Sequence, residues 1–266
     1  MLDKDIIRRR LDTGITYTEF SYMLLQAMDF KWLHENKNVD LQCAGSDQWG
    51  NITAGIDLIR KSTGDTVYGF TMPLVTDIQG HKFGKSEGNA LWLDKDKTSS
   101  YKLYQFFTNV EDEMVIDYLK IYTFLSKEEI EELEVSNKTH PELREAHKAL
   151  AREIITFLHG KEEYEKAVKL ANSLFNNKFT DLTSNEIKEL FSTEEVKEIE
   201  LNKTLTDLLI DMKVASSKRE AREFINGNAI SINGVKENNP ELIIDSKFLL
   251  DNTYIIIKRG KKAYYL

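Results

Sequence analysis

The sequence has one cysteine, Cys43, among 266 residues. That excludes an internal disulfide and fits a reducing, cytoplasmic setting. Only three prolines occur and glycine usage is ordinary, which argues against long disordered tracts. No apolar run approaches membrane-spanning length. The opening Met1-Leu2-Asp3-Lys4-Asp5 lacks the apolar core of a secretion signal, so no membrane partner is expected. His34, His81, His140, His147 and His159 are scattered, and none stands at metal-ligand spacing from the cysteine. No protein-held metal is expected. The Walker pattern G-x-x-x-x-G-K-[ST] is absent.

What is present suffices for a sizeable core: 41% of residues are hydrophobic and 30% charged. The length suggests two or three units. A net charge of −8 looks wrong for a nucleic-acid binder, but the average hides an asymmetry. Residues 203–266 carry 11 Lys and Arg against 8 Asp and Glu, or +3; the remaining 25 against 36 leave residues 1–202 at −11. A basic end on an acidic body suits a local anion-binding face, and equally an unevenly charged solvated surface.

Along the chain, Thr16-x-x-Glu19 predicts a capping box, and the apolar stretch Phe20 to Leu33 then predicts a largely buried helix starting near Tyr17. Val39–Ala44 reads as a strand, residues 45–50 as a glycine-bounded break, Ile52–Arg60 as a helix and Val67–Val75 as a second strand. Strand, glycine loop, helix, strand is the grammar of an α/β sheet, whose ligands lie at the carboxyl ends of strands. Residues 98–200 read as an all-α bundle of about five helices. Ser126-x-x-Glu129 and Thr183-x-x-Glu186 are capping boxes, and Pro141 is placed in the first turn of a long helix that Gly160 closes. From Asn202 the character changes again. Leu205–Met212 and a helix capped by Ser217 and ended by Gly227 precede Ile230–Ile232, an Asn233-Gly234 hairpin turn and a late strand at Tyr254–Lys258.

Four groups of residues carry chemistry. Tyr22, Gln26 and Asp29 lie at i, i+4 and i+7, one stripe of a helix among apolar neighbours. Such a stripe is satisfied either by internal hydrogen bonds or by a small polar ligand. Gly45-Ser46-Asp47-Gln48-Trp49-Gly50-Asn51 joins a strand end to a helix start. Its backbone can approach a ligand and its side chains can hold hydroxyls or a carboxylate, or else Asp47 or Asn51 merely caps the helix. Lys82-Phe83-Gly84-Lys85-Ser86 is a glycine-flanked loop whose two cations and hydroxyl suit a polyphosphate or a plain solvated surface. Lys218, Arg219 and Arg222 open one helix, and Lys258 and Arg259 end a strand beside Tyr264 and Tyr265. Cations with aromatics suit a phosphate backbone carrying an exposed base.

Taken in order, Phe20-Ser21-Tyr22-x-x-x-Gln26-x-x-Asp29, Gly45 to Ile52, and Lys82 to Ser86 resemble the bacterial tyrosyl-tRNA synthetase family, class I. The resemblance runs over essentially all 266 residues. It implies the second half of a Rossmann-like catalytic domain at 1–100, a helical anticodon-side domain at 101–200, and a small α+β RNA-binding domain of the ribosomal small-subunit type at 203–266. It further implies activation of L-tyrosine with ATP, assisted by Mg²⁺, and transfer of the tyrosyl group to tRNA(Tyr). In this family Tyr22 and Gln26 match residues at the substrate ammonium, Asp29 a buried acceptor of the phenolic OH, and Gln48 a residue at the carboxylate. Asp47 matches a residue at the ribose, and Gly45 backbone against the adenylate. Lys82, Lys85 and Ser86 match the signature phosphate loop, here KFGKS rather than the common KMSKS. Lys218, Arg219, Arg222, Lys258 and Arg259 are the expected RNA contacts, and a homodimer is the family's assembly.

The family's first nucleotide motif, His-x-Gly-His, does not occur within the 266 residues. The resemblance therefore leads us to expect that the first half of the catalytic domain is lacking. On that expectation the polypeptide alone forms no tyrosyl-adenylate at a useful rate, which pyrophosphate exchange measures. A non-catalytic RNA-binding remnant and the tryptophan-specific sister enzyme are the competing readings. The polar stripe in an apolar helix argues against the remnant. The Tyr22, Gln26 and Asp29 set, with the basic end, argues against the sister.

Overall fold

The computed structural model describes residues 14, 16–75, 91–261 and 263–266. It is a mixed α/β protein that divides into two compact units, Met1–Gly88 and Asn89–Leu266.

In the first unit, helix α1 (Tyr17–Lys37) precedes strand β1 (Leu41–Gly45), a 3₁₀ turn (Ser46–Gln48), helix α2 (Trp49–Thr63) and strand β2 (Tyr68–Met72). β1 and β2 pair in parallel from Leu41↔Tyr68 to Gly45↔Met72, so α2 is the crossover of a βαβ unit. Sterics set the packing. A Cβ on Gly69 would lie 2.3 Å from Ile52 Cγ2, and one on Gly55 would lie 2.9 Å from Phe30 Cδ1. Glycine at these two positions lets α2 approach β2 on one side and α1 on the other.

The expectation of a largely buried α1 is not met. Met23, Ala27 and Phe30 are buried at 1–6% exposure, whereas Tyr22 and Met28 are 63% exposed and Leu25 and Trp32 more than half exposed. The reason is that α1 packs one stripe on α2, and an apolar residue is buried only where an element faces it. The capping box at Thr16 and Glu19 falls on a side chain outside the described residues.

The second unit opens with six helices: α3 (Ser100–Thr108), α4 (Val115–Tyr122), α5 (Lys127–Thr139), α6 (Glu145–His159), α7 (Lys161–Asn176) and α8 (Ser184–Leu190). Both predicted boxes form in full, Ser126 with Glu129 and Thr183 with Glu186. Pro141 instead opens a 3₁₀ turn, Pro141–Leu143, and α6 starts at Glu145 after Arg144 takes a left-handed conformation. His159 ties the start of this unit down: its ring nitrogens lie 2.8 Å from the Leu93 carbonyl and from the Ser100 hydroxyl.

Beyond residue 200 come β3 (Lys203–Thr204), α9 (Leu205–Asp211), α10 (Lys218–Asn226), β4 (Ile230–Ile232), β5 (Val235–Lys236), β6 (Ile243–Ile244), β7 (Ile257–Arg259) and β8 (Ala263–Tyr265). An antiparallel sheet runs β5-β4-β7-β8, and β3 pairs with β6. Asn233 (φ 50°) and Gly234 (φ 90°) make the predicted turn; two positive φ values in succession are the type I′ requirement. The late strand begins at Ile257 rather than Tyr254, because Tyr254 pairs with Leu250 in an isolated bridge. One apolar cluster joins Phe179, Leu182, Ile187 and Phe191 to Leu250, Ile256 and Leu266, so the helices and the C-terminal sheet share a core.

Candidate functional site

In the first unit the site is built where β1 ends. Gly45 is extended (φ −67°, ψ 158°) and leads into the 3₁₀ turn that carries Asp47 and Gln48. A Cβ on Gly45 would lie 2.8 Å from Leu74 and 2.9 Å from Asp47 Oδ1, so glycine here keeps the Asp47 carboxylate close to the backbone. Gln48 is the N-cap of α2 and makes no side-chain cap bond. Asn51 sits one turn into that helix and reaches sideways. Its Nδ2 donates to Gln26 Oε1 at 3.0 Å and to Gln48 Oε1 at 2.9 Å.

That pair of bonds joins two of the sequence constellations. Gln26, Gln48 and Asn51 are all half-buried. Tyr22 and Asp29 share the Gln26 stripe of α1, and among the described residues both are exposed, whereas the family resemblance implied a buried Asp29. Burial of that stripe would need an element over it, and the described residues place none there. Lys82, Lys85 and Ser86 lie outside the described residues. Sequence reading treated Asn51 only as a cap; its offset of three from Gln48, one turn along a helix, is the signal that it faces the same way.

In the second unit the five predicted RNA cations fall into two groups. On α10, Lys218 pairs with Asp207 at 2.7 Å, Arg219 with Glu223 at 3.1 Å and Arg222 with Glu241 at 3.2 Å. All three are more than half exposed, Arg219 at 90%. The Lys218 ammonium holds the Asp207 carboxyl below its ordinary range. Lys258 and Arg259 are half-buried and turned inward. Lys258 Nζ donates to Asn177 Oδ1 at 2.6 Å and lies 5.0 Å from the Tyr264 ring centroid. Arg259 donates to the Val214 carbonyl at 2.6 Å and lies over Phe224 at 5.1 Å and Tyr265 at 5.9 Å.

Comparison with known proteins identifies the family. Residues 1–176 match the family described as tRNA synthetases class I (W and Y), which defines the class. Residues 186–266 match the tyrosine–tRNA ligase SYY-like C-terminal domain, and the chain belongs to the tyrosyl-tRNA synthetase family. It is 49% identical over 277 residues to a tyrosine–tRNA ligase of Bacillus pumilus and 46% identical over 272 residues to tyrosine–tRNA ligase 1 of Bacillus subtilis. Each alignment takes in all of this chain and 64% of the relative; the chain thus spans just under two thirds of their length. Two solved structures are similar at 36% identity. The C-terminally truncated mitochondrial tyrosyl-tRNA synthetase of Aspergillus nidulans has a TM-score of 0.56 over 65% of this chain and 50% of that one. The corresponding Coccidioides posadasii protein has a TM-score of 0.54 over 63% and 49%. Among the described residues, no helix is long and apolar enough to cross a membrane.

Proposed function

We propose that this chain supplies the tyrosine-binding, lysine-loop and tRNA-binding parts of a tyrosine–tRNA ligase. The carrying observation is the Asn51 bridge. It places Gln26 of the α1 stripe and Gln48 of the β1–α2 turn in one polar patch at the carboxyl end of a parallel strand, where α/β sheets hold ligands.

In this reading Tyr22 and Gln26 take the ammonium of L-tyrosine and Asp29 accepts from its phenolic OH. Gln48 donates to the carboxylate, Asp47 accepts from the ribose of ATP, and the Gly45 backbone runs beside the adenylate. The tyrosine carboxylate attacks the α-phosphate and pyrophosphate leaves. The protein supplies no covalent nucleophile; it orients two reactants and stabilises charge on the leaving group. Lys82, Lys85 and Ser86 serve that second task. In this reading Mg²⁺ comes with ATP, and no step is assigned to a metal held by this chain.

The parts are residues 1–100, the second half of a Rossmann-like catalytic domain; 101–200, a helical anticodon-side domain; and 203–266, a small RNA-binding domain. The tRNA(Tyr) contact is assigned first to Lys218, Arg219 and Arg222. Lys258 and Arg259 complete the proposed RNA-binding set, with Arg259 lying over Phe224 of α10 and Lys258 bonded to Asn177. A cytoplasmic homodimer completes the proposal.

Ligand titration tests it. The chain should bind L-tyrosine saturably and more tightly than L-phenylalanine by about tenfold, the worth of one hydrogen bond to a charged acceptor. Asp29→Asn should shrink that ratio. Equal affinity for both amino acids, or tighter binding of L-tryptophan, would overturn the assignment.

A further inference from the structure

We infer that Asn51 is a positioning residue that sets the hydrogen-bond polarity of the amino-acid site and so its preference for a ligand carboxylate; this rests on the tyrosine reading above. A glutamine amide presents either a carbonyl oxygen or an NH₂ group, and free rotation lets it present both. Here rotation is removed. Asn51 spends one Nδ2 hydrogen on Gln26 Oε1 and the other on Gln48 Oε1. Both glutamines therefore turn their oxygens to Asn51, and the Nε2 group of Gln48 is left to donate elsewhere.

Asn51 lies in the first turn of α2 and Gln48 is its N-cap. Half-burial of all three side chains limits the water that would otherwise compete for these bonds. Gln26 keeps a second lone pair on Oε1 for an ammonium, while the Gln48 NH₂ group faces an anion. One asparagine thus fixes which end of an amino acid meets which amide.

Two measurements test this. In the wild-type chain, side-chain amide exchange followed by NMR should show the Asn51 NH₂ protons slowed and the Gln26 and Gln48 NH₂ protons fast. The reverse pattern overturns the inference whether or not a variant folds. Asn51→Leu, similar in size and uncharged, frees both glutamines. The affinity ratio of L-tyrosine to L-tyrosinol, which keeps the phenol and the ammonium but lacks the carboxylate, should fall by about tenfold. A merely structural role would weaken both ligands together and leave the ratio alone, and that result refutes the role of Asn51 while the tyrosine reading stands. A wild-type chain that binds neither ligand refutes the tyrosine reading and this inference with it.

Discussion

Replacing Lys258 by alanine should cost stability, and replacing Arg219 should cost RNA affinity, although the sequence presents both as members of one basic cluster. The Lys258 ammonium donates to Asn177 Oδ1 at 2.6 Å and stands 5.0 Å from the Tyr264 ring. A hydrogen bond from a charged donor contributes about 1.5–3 kcal/mol, and a partly exposed cation–π contact about 0.5–1 kcal/mol. Loss of both should destabilise the second unit by about 2–3 kcal/mol, since Asn177 keeps access to water and the two contacts are not additive. Arg219 is 90% exposed and pairs with Glu223 on its own helix. Such a pair contributes about 0.3–0.5 kcal/mol, so Arg219→Ala should unfold at nearly the wild-type urea concentration. Its effect should appear in tRNA binding, where one lost phosphate contact lowers the salt slope by about 0.7–0.9. Urea unfolding and a salt titration of tRNA binding on both variants decide the matter. Lys258→Ala with unchanged unfolding and lost RNA affinity would refute the division of the cations.

Two further expectations follow from geometry and titration. Gly234 has φ +90°, and a Cβ there would lie 1.7 Å from the Asn177 carbonyl oxygen. Gly234→Ala should therefore cost more than the ~1–2 kcal/mol of a left-handed alanine, measurable as a lower melting temperature; an unchanged melt would mean that the hairpin does not dock there. The histidines predict opposite pH responses. Asp65, then Asp40, hydrogen-bond to His34 and raise its pKa, so its stabilisation of the first unit is full below about pH 6.5 and is lost as pH rises through the raised value. Burial, then the Arg144 charge, lowers the pKa of His147. Its neutral form stabilises the second unit above about pH 6.5, and that is lost as pH falls toward the lowered value. Hydrogen exchange of the α1 and α6 amides across this range should move in opposite directions, and His34→Gln should flatten the first.

Local signals were legible where they were self-contained. Ser126 with Glu129, Thr183 with Glu186, and Asn233-Gly234 each encode their geometry within four residues, and each forms. The βαβ order was readable from alternation and glycine, although both strands are shorter than read, β2 ending at Met72 just before Pro73. Signals that depend on a distant partner were not legible. An apolar count along α1 cannot say which residues meet α2, so Tyr22 and Met28 were expected inside and stand outside. Lys258 reads as a free cation until Asn177, 81 residues earlier, is placed beside it. Asn51 lies in a quoted motif, yet its bond to Gln26 spans 25 residues.

The most direct measurement is a map of where L-tyrosine lands. Amide and side-chain NMR shifts recorded during a titration should move at Tyr22, Gln26, Asp29, Gln48 and Asn51 and leave α5 to α7 still. Saturable shifts centred on the helices of the second unit, or none at any residue of the α1 stripe, would contradict the proposed site at its root.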